Sequence, residues 1–467
     1  MTNPYLAGNY RPVTIETTAE SLPVTGRIPA GLRGRYLRNG PNPVGTPEPA
    51  TYHWFTGDGM VHGVRLADGR ACWYRNRWVR SRRVAQALGE QPHSGPVHGG
   101  MDFAANTNVI GHAGRTFALV EAGALPVELT YCLDTIGPTT LDDTLPGGYT
   151  AHPKRHPRTG ELHAISYFPG WGPSVQYSVI GRDGRVRHAT DVAVGGLVSI
   201  HDTAITERFV VVYDLPVVLS IEAVKAGVSF PYRWDPTYRA RIGLLPLYGP
   251  GDAIEWFDLD PCYVFHTLNA YDDGDNVVID LIRHDRVFAE QFNGPADAAP
   301  VLDRCTIDRS ARAVKHEILD DRPQEFPRHD ERRTGRPHRY GYSTAFTNQP
   351  HGETTILKHD LLRQTTTTRP VGRGSGAAEP VFIPRAADAA EDDGWLLCLS
   401  YDRERDATDL LILAAADITA EPEAIIHLPV RVPAGFHGNW VEDNADLRAQ
   451  IWFIRTSPPP QAPDRNT

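Results

Sequence analysis

Four histidines far apart in the chain each stand beside an apolar, strand-like stretch. They are His152 in TAHPKRHP, His201 in SIHDTAIT, His266 in VFHTLNAY and His437 in GFHGNW. A neutral imidazole suits iron, copper, zinc or nickel. Four of them converging from distant strands would make a metal centre that only the whole fold can assemble. The chain holds 19 histidines, so the same four could also be ordinary hydrogen-bonding residues, and residue type alone leaves both readings open. The surroundings favour the metal. His437 lies between Gly435 and Gly438, which permit close approach of backbone or ligand. A ligating histidine also gives its second N–H to a carboxylate or carbonyl. Three glutamates in apolar or tightly turned settings could serve: Glu121 in FALVEAGALP, Glu325 in QEFPRHD and Glu391 in AAEDDGWLL. Glu121 follows the run Phe117–Val120 and needs a partner if buried. Its alternative is a strand end facing water.

The elements that must carry these residues read as β. Phe209–Tyr213, Asn276–Ile282, Trp395–Tyr401 and Leu410–Leu413 have strand composition. Asp68-Gly69, Asp183-Gly184 and Asp273-Gly274 are turn dipeptides between or beside such runs. Gly (42) and Pro (39) together exceed the roughly 12% of average usage. Many short strands with frequent turns mean a sandwich, barrel or propeller, and 467 residues suit a propeller. No clean internal period fixes a blade count. Helical signal is confined to Ser220–Ala226, closed by Gly227, and Ala386–Ala390 reads as a surface loop. Residues 1–456 form one expected domain, and residues 457–467 a Pro-rich disordered tail.

Bulk properties exclude some classes. The net charge of −10 without a basic run argues against nucleic-acid binding. Five cysteines without a CxxC pair point to reduced thiols and a cytoplasmic protein. No apolar run reaches the roughly 18 residues of a membrane span.

Several words of the sequence, taken together, resemble the carotenoid cleavage oxygenase family. They are YLRNGPNP at 36–43, HWFTGDGMVH at 53–62, AHPK at 151–154, the His201 and His266 words, EPVFIPR at 379–385, EDDG at 391–394 and GFHG at 435–438. The resemblance runs from about residue 30 to 455 in the family's order. It implies an all-β, seven-bladed propeller capped by loops and short helices over an axial Fe(II). His152, His201, His266 and His437 would hold the metal. Glu121 would orient His201, Glu325 would orient His266 and Glu391 would orient His437, leaving His152 without a carboxylate. Thr107 matches the threonine whose methyl group crowds one metal position. The implied reaction is oxidative cleavage of a C=C bond of a carotenoid or apocarotenoid by dioxygen, without an organic cofactor.

Relatives in the family also cleave stilbenes or phenylpropenes, and in that branch a lysine before the first glutamate meets the substrate phenol. Here that position is Val120, which favours an apolar polyene. A retinoid isomerase-like enzyme and a non-catalytic, zinc-filled propeller are further alternatives. The apolar stretch 215–248 would lie near the tunnel entrance and could touch a membrane surface, or simply cover the core. His156, His163, His284 and His316 read as exposed, His53 and His62 as structural, Arg332, Arg333 and Arg336 as a solvated loop, and 371–376 as a flexible turn.

Overall fold

The computed structural model describes residues 3–100, 102, 104–294, 297–346, 354–371 and 375–443. The tail 457–467, and residues 372–374 of the expected turn, lie outside them. Among the described residues, seven sheets of four to six strands form the blades of a propeller, with two short α-helices. From the inner edge outward, blade II runs Asn108–His112, Arg115–Leu119, Val127–Leu129, Thr135–Pro138. Blades III to VI follow the same antiparallel meander. Their inner strands are Lys154–Arg155, Ala204–Ile205, Tyr263–Asp273 and Gln324–Arg328. In blade VII, Val381–Pro384 and Ser375–Ala377 both pair with Gly394–Asp402.

Turn chemistry follows the sequence. Asp68 (φ 53°) and Gly69 (φ 69°) both take the left-handed region between the paired strands Gly59–Ala67 and Arg70–Trp78. That is the geometry a two-residue hairpin needs to match strand twist.

Both ends of the chain close the ring. Gly438–Glu442 supplies the inner strand of blade I, beside Gly34–Pro41. Thr18–Glu20 and Val24–Gly26 add outer strands to blades I and VII. The core lies between neighbouring blades. Leu37 and Val61 of blade I pack with Val109 and Leu129 of blade II, and Tyr342 and Ile356 of blade VI pack with Leu396 and Leu411 of blade VII. A middle strand such as Phe209–Asp214 is therefore buried on both faces and reads as one apolar run. The outer strand Val186–Ala193 largely alternates between half-buried and exposed positions.

An insertion between the second and third strands of blade IV forms the cap. It consists of the hairpin Val217–Leu219 with Tyr232–Trp234 and the helix Ile221–Lys225. Ser220 caps that helix by accepting from Ala223 N–H, and Gly227 (φ 70°) follows its end. Ala386, Ala387, Asp388 and Ala390 are exposed, as a surface loop requires.

Candidate metal centre and cavity

One polar residue stands at or near the start of the inner strand of every blade. Around the ring these are His437 (I), Thr107 (II), His152 (III), His201 (IV), His266 (V), Glu325 (VI) and Glu379 (VII). The propeller thus brings residues 330 positions apart to one axis. Among the described residues the four histidines form the one buried group whose candidate ligand atoms all lie within 4.8 Å of one another.

Local irregularities aim these side chains. The register of Tyr263–Asp273 against Asn276–His284 shifts between Val264 and Thr267, and again between Thr267 and Asn269. These bulges flank His266, and a bulge re-aims a side chain. A further shift lies between Glu325 and Arg328. Within it Phe326 takes φ 57° and stacks on His266 at 5.4 Å between ring centres. Ala122, after Glu121, and Ala105, two before Thr107, also have positive φ. Such strain in non-glycine residues gathers at functional sites.

Three carboxylates face the outer nitrogens of the imidazoles. Glu121 Oε2 lies 2.9 Å from His201 Nδ1, Glu325 Oε2 2.6 Å from His266 Nδ1, and Glu379 Oε1 2.9 Å from His437 Nδ1. Glu121 is therefore not a strand end facing water. The third partner differs from the expected Glu391. Glu391 instead accepts from the backbone N–H of Arg339 (2.6 Å) and Tyr340 (2.8 Å), anchoring a turn. Glu379 lies two residues before the largely buried strand Val381–Pro384 of the blade adjoining His437. It also accepts from Gly438 N–H at 2.7 Å. It opens the EPVFIPR word, so a carboxylate set against a buried apolar strand was the available signal. His152 has no such partner: its Nδ1 is 4.0 Å from Asp202 Oδ1.

The electrostatics point to a cation. Against the cost of burial, Arg328 and His437 hold Glu379 ionised with a pKa lowered to about 2. The His266 and His284 imidazoles likewise hold Glu325 well below the usual carboxylate range despite burial. Ionised carboxylates require Nδ1–H on His266 and His437, which in a neutral imidazole leaves the lone pair on Nε2. Burial pushes His437 down to about 4 even though Glu379 opposes it. Yet Nε2 of His266 and Nε2 of His437 lie only 3.0 Å apart. Two neutral Nδ1–H imidazoles at that distance would set lone pair against lone pair, which a cation between them relieves. Burial lowers His152 as well, reinforced by the other three histidines. For His201 burial acts downward, and Glu121 more than offsets it, so its pKa is raised. The donor set is thus four imidazoles, three of them backed by carboxylates, which fits a transition metal.

Further residues unremarked in the sequence hold the frame. Asp202 accepts from Lys154 (2.7 Å), Thr203 N–H (2.8 Å) and Thr267 N–H (2.7 Å). One carboxylate thereby ties the strands that carry His152, His201 and His266. Asn39, Asn108 and Asn439 do the same for blades I to III. Asn108 donates to Ala151 O (2.8 Å), and Asn439 donates to Asn108 Oδ1 (2.8 Å). Thr107 O accepts from His437 N–H at 3.1 Å. A Cβ on Gly435 would stand 2.8 Å from Gly40 Cα, so this strand crossing needs glycine.

Other histidines fall differently from expectation. His156, His163 and His284 are buried, because each finds a partner that water would otherwise supply. His163 Nδ1 meets Tyr177 Oη at 2.8 Å, and His156 Nδ1 accepts from Thr159 N–H. His316 is exposed. His53 caps a 3₁₀ turn and His62 meets Tyr74 Oη, both structural. Arg332 is not merely solvated: it pairs with Asp330 and donates to Ala386 O and Ala387 O.

A cavity of about 1070 Å³ opens on this centre. Thr107, Glu121, His201, His266 and His437 border it, with Phe55, Phe230, Phe265 and Phe436 as apolar wall. Val120 is part of that wall. Val224, from the cap helix, both borders the cavity and is 47% exposed, which puts the cap at its mouth.

The chain is 46% identical over 493 aligned residues to a "Carotenoid cleavage oxygenase" of Mycobacterium tuberculosis, covering 94% of this chain and 97% of that protein. A family model described as retinal pigment epithelial membrane protein matches residues 10–442. The chain belongs to the carotenoid cleavage oxygenase family. An isoeugenol monooxygenase of Pseudomonas nitroreducens is 33% identical, covering 94% of this chain and 98% of its own. Among solved structures, the oxygenase resembles a Pseudomonas brassicacearum lignostilbene dioxygenase with TM-score 0.85 and 29% identity, covering 94% of this chain and 99% of that one. Cobalt-substituted Synechocystis ACO gives TM-score 0.83 and 28% identity over 92% and 97%.

Proposed function

We propose that the protein is an Fe(II)-dependent dioxygenase that cleaves one C=C bond of a carotenoid or apocarotenoid into two carbonyl products. The convergence of four buried histidine rings, with Nε2 of His266 3.0 Å from Nε2 of His437 and Nε2 of His152 3.0 Å from Nε2 of His201, beside an aromatic-walled cavity carries this reading. Fe(II) held by His152, His201, His266 and His437 would supply dioxygen activation. The chemistry balances without a reductant, since both oxygen atoms end in the two carbonyls. The protein's own part is positioning. Glu121, Glu325 and Glu379 would fix tautomer and ring angle of three ligands. The phenyl wall would exclude water and align an extended polyene. Thr107, at the cavity edge, would narrow access to the centre from one side. Val120 offers no hydrogen bond to a phenol, which favours a polyene over a hydroxystilbene. Val224 (47% exposed) stands at the mouth with Ile221 (47%) and Val228 (39%) exposed on the same cap, and we assign the three to contact with a lipid surface that stores such a substrate. No helix among the described residues is long and apolar enough to cross a membrane.

The test is anaerobic loading with Fe(II), then air, with an apocarotenal and 4-hydroxystilbene in parallel. Mass spectrometry should find aldehydes from the apocarotenal alone. Cleavage of the stilbene alone would reject the polyene assignment and keep the metal. Sedimentation of the same sample with phosphatidylcholine vesicles should carry protein down, and a wholly soluble protein would remove the lipid contact.

A further inference from the structure

Glu325 is gripped from both sides. Its Oε2 lies 2.6 Å from His266 Nδ1 and accepts from Phe326 N–H at 2.8 Å. Its Oε1 lies 2.7 Å from Nε2 of a second histidine, His284. His284 ends the strand Asn276–His284, directly beside the strand that bears His266. Two adjacent strands of blade V thus reach across to one carboxylate of blade VI. His284 is 3% exposed, and its ring packs edge-on against Phe265 at 5.0 Å. Phe265 also packs against His201 at 5.3 Å.

The contacts define the hydrogen. Nδ1 of His284 is buried without a hydrogen-bond partner. An N–H there would be an unsatisfied buried donor on a cation, whereas a bare nitrogen costs less. Glu325 is buried, and its Oε1 needs a donor. A proton on His284 Nε2 and none on Nδ1 meets both demands. The other ionised carboxylate has a different holder for its second oxygen: Gly438 N–H serves Glu379. In Glu325 that task falls to a side chain, so it can be removed without touching the backbone.

We infer that His284 is a positioning residue of the metal centre: its Nε2–H fixes Glu325, which in turn fixes the tautomer and ring angle of His266. This rests on the four-histidine group holding a metal. It predicts that the histidine imidazole matters through one donor, not through bulk. Glutamine can place an amide N–H where Nε2–H stands, and phenylalanine fills the ring's space without a donor.

Cobalt(II) binding to metal-free protein, followed by its visible absorption, tests this without substrate. His284→Phe should weaken cobalt affinity by about 10-fold or more and alter the visible bands, as loss of an outer partner does. His284→Gln should stay within about threefold of the parent on the same scale. Thermal melts check that both variants are folded. Unchanged affinity and bands in His284→Phe would overturn the inference, as would equal weakening in both folded variants. Should the phenylalanine variant not fold, ¹⁵N-histidine spectra of the zinc-loaded parent decide: His284 is expected as the neutral Nε2–H tautomer, and an Nδ1–H form would reject it. A parent protein that takes up neither cobalt nor zinc would instead overturn the metal-centre reading itself.

Discussion

Exchanging Glu379 for glutamine should lower metal affinity by about 10- to 100-fold, because the His437 imidazole loses its charged acceptor. Glu391→Gln should leave metal affinity near the parent value. Its carboxylate serves the Arg339–Tyr340 turn, so the loss appears in the melting temperature. Isothermal titration with cobalt separates the two, and the opposite ranking would return the role to Glu391. Both glutamates sit in recognisable words of the sequence, so the words alone could not choose between them. Both belong to blade VII, and the choice is made by strand end: Glu379 stands before the inner strand Val381–Pro384, at the end that meets His437, whereas Glu391 stands in the loop that joins that strand to Gly394–Asp402. The four histidines were legible because each has a distinctive neighbourhood. His284 was not, because Arg283 and Asp285 beside it suggest solvent while alternation turns it inward.

At the scale of strands, the inner strands of blades III to V are short or bulged and depend on side-chain ties. Asp202→Ala removes the acceptor for Lys154 and for two backbone N–H groups. Hydrogen bonds to a charged group contribute roughly 1.5–3 kcal/mol each, with incomplete additivity, so a loss of about 3 kcal/mol is expected. Urea unfolding should record it, and metal affinity should fall in parallel, since three ligand strands lose their common tie. A stability loss under about 1 kcal/mol would mean that Asp202 is not a principal tie. The long apolar strands and the Asp-Gly turns were readable from composition. The bulges around His266 and Glu325 were not, because a bulge is a mismatch between two strands and neither strand encodes it alone.

For the whole molecule, many histidines are neutral because they are buried. Burial lowers His53 and His62 to about 3, and His163 and His359 to about 4. In the unfolded chain each would titrate near 6.5, so below that pH the unfolded state binds more protons. Stability is then complete above about pH 6.5 and declines as the pH falls toward 4. Thermal melts from pH 8 to 4.5 should show a progressive fall, and a flat profile would contradict the burial argument. The ring also ties the site to its own closure. His437 immediately precedes Gly438–Glu442, the strand that completes blade I against Gly34–Pro41. The other three candidate ligands belong to blades III to V, so the fourth joins them only through the strand that closes the ring. Full coordination would be open only to a finished ring, so a bound metal would report the chain's own closure.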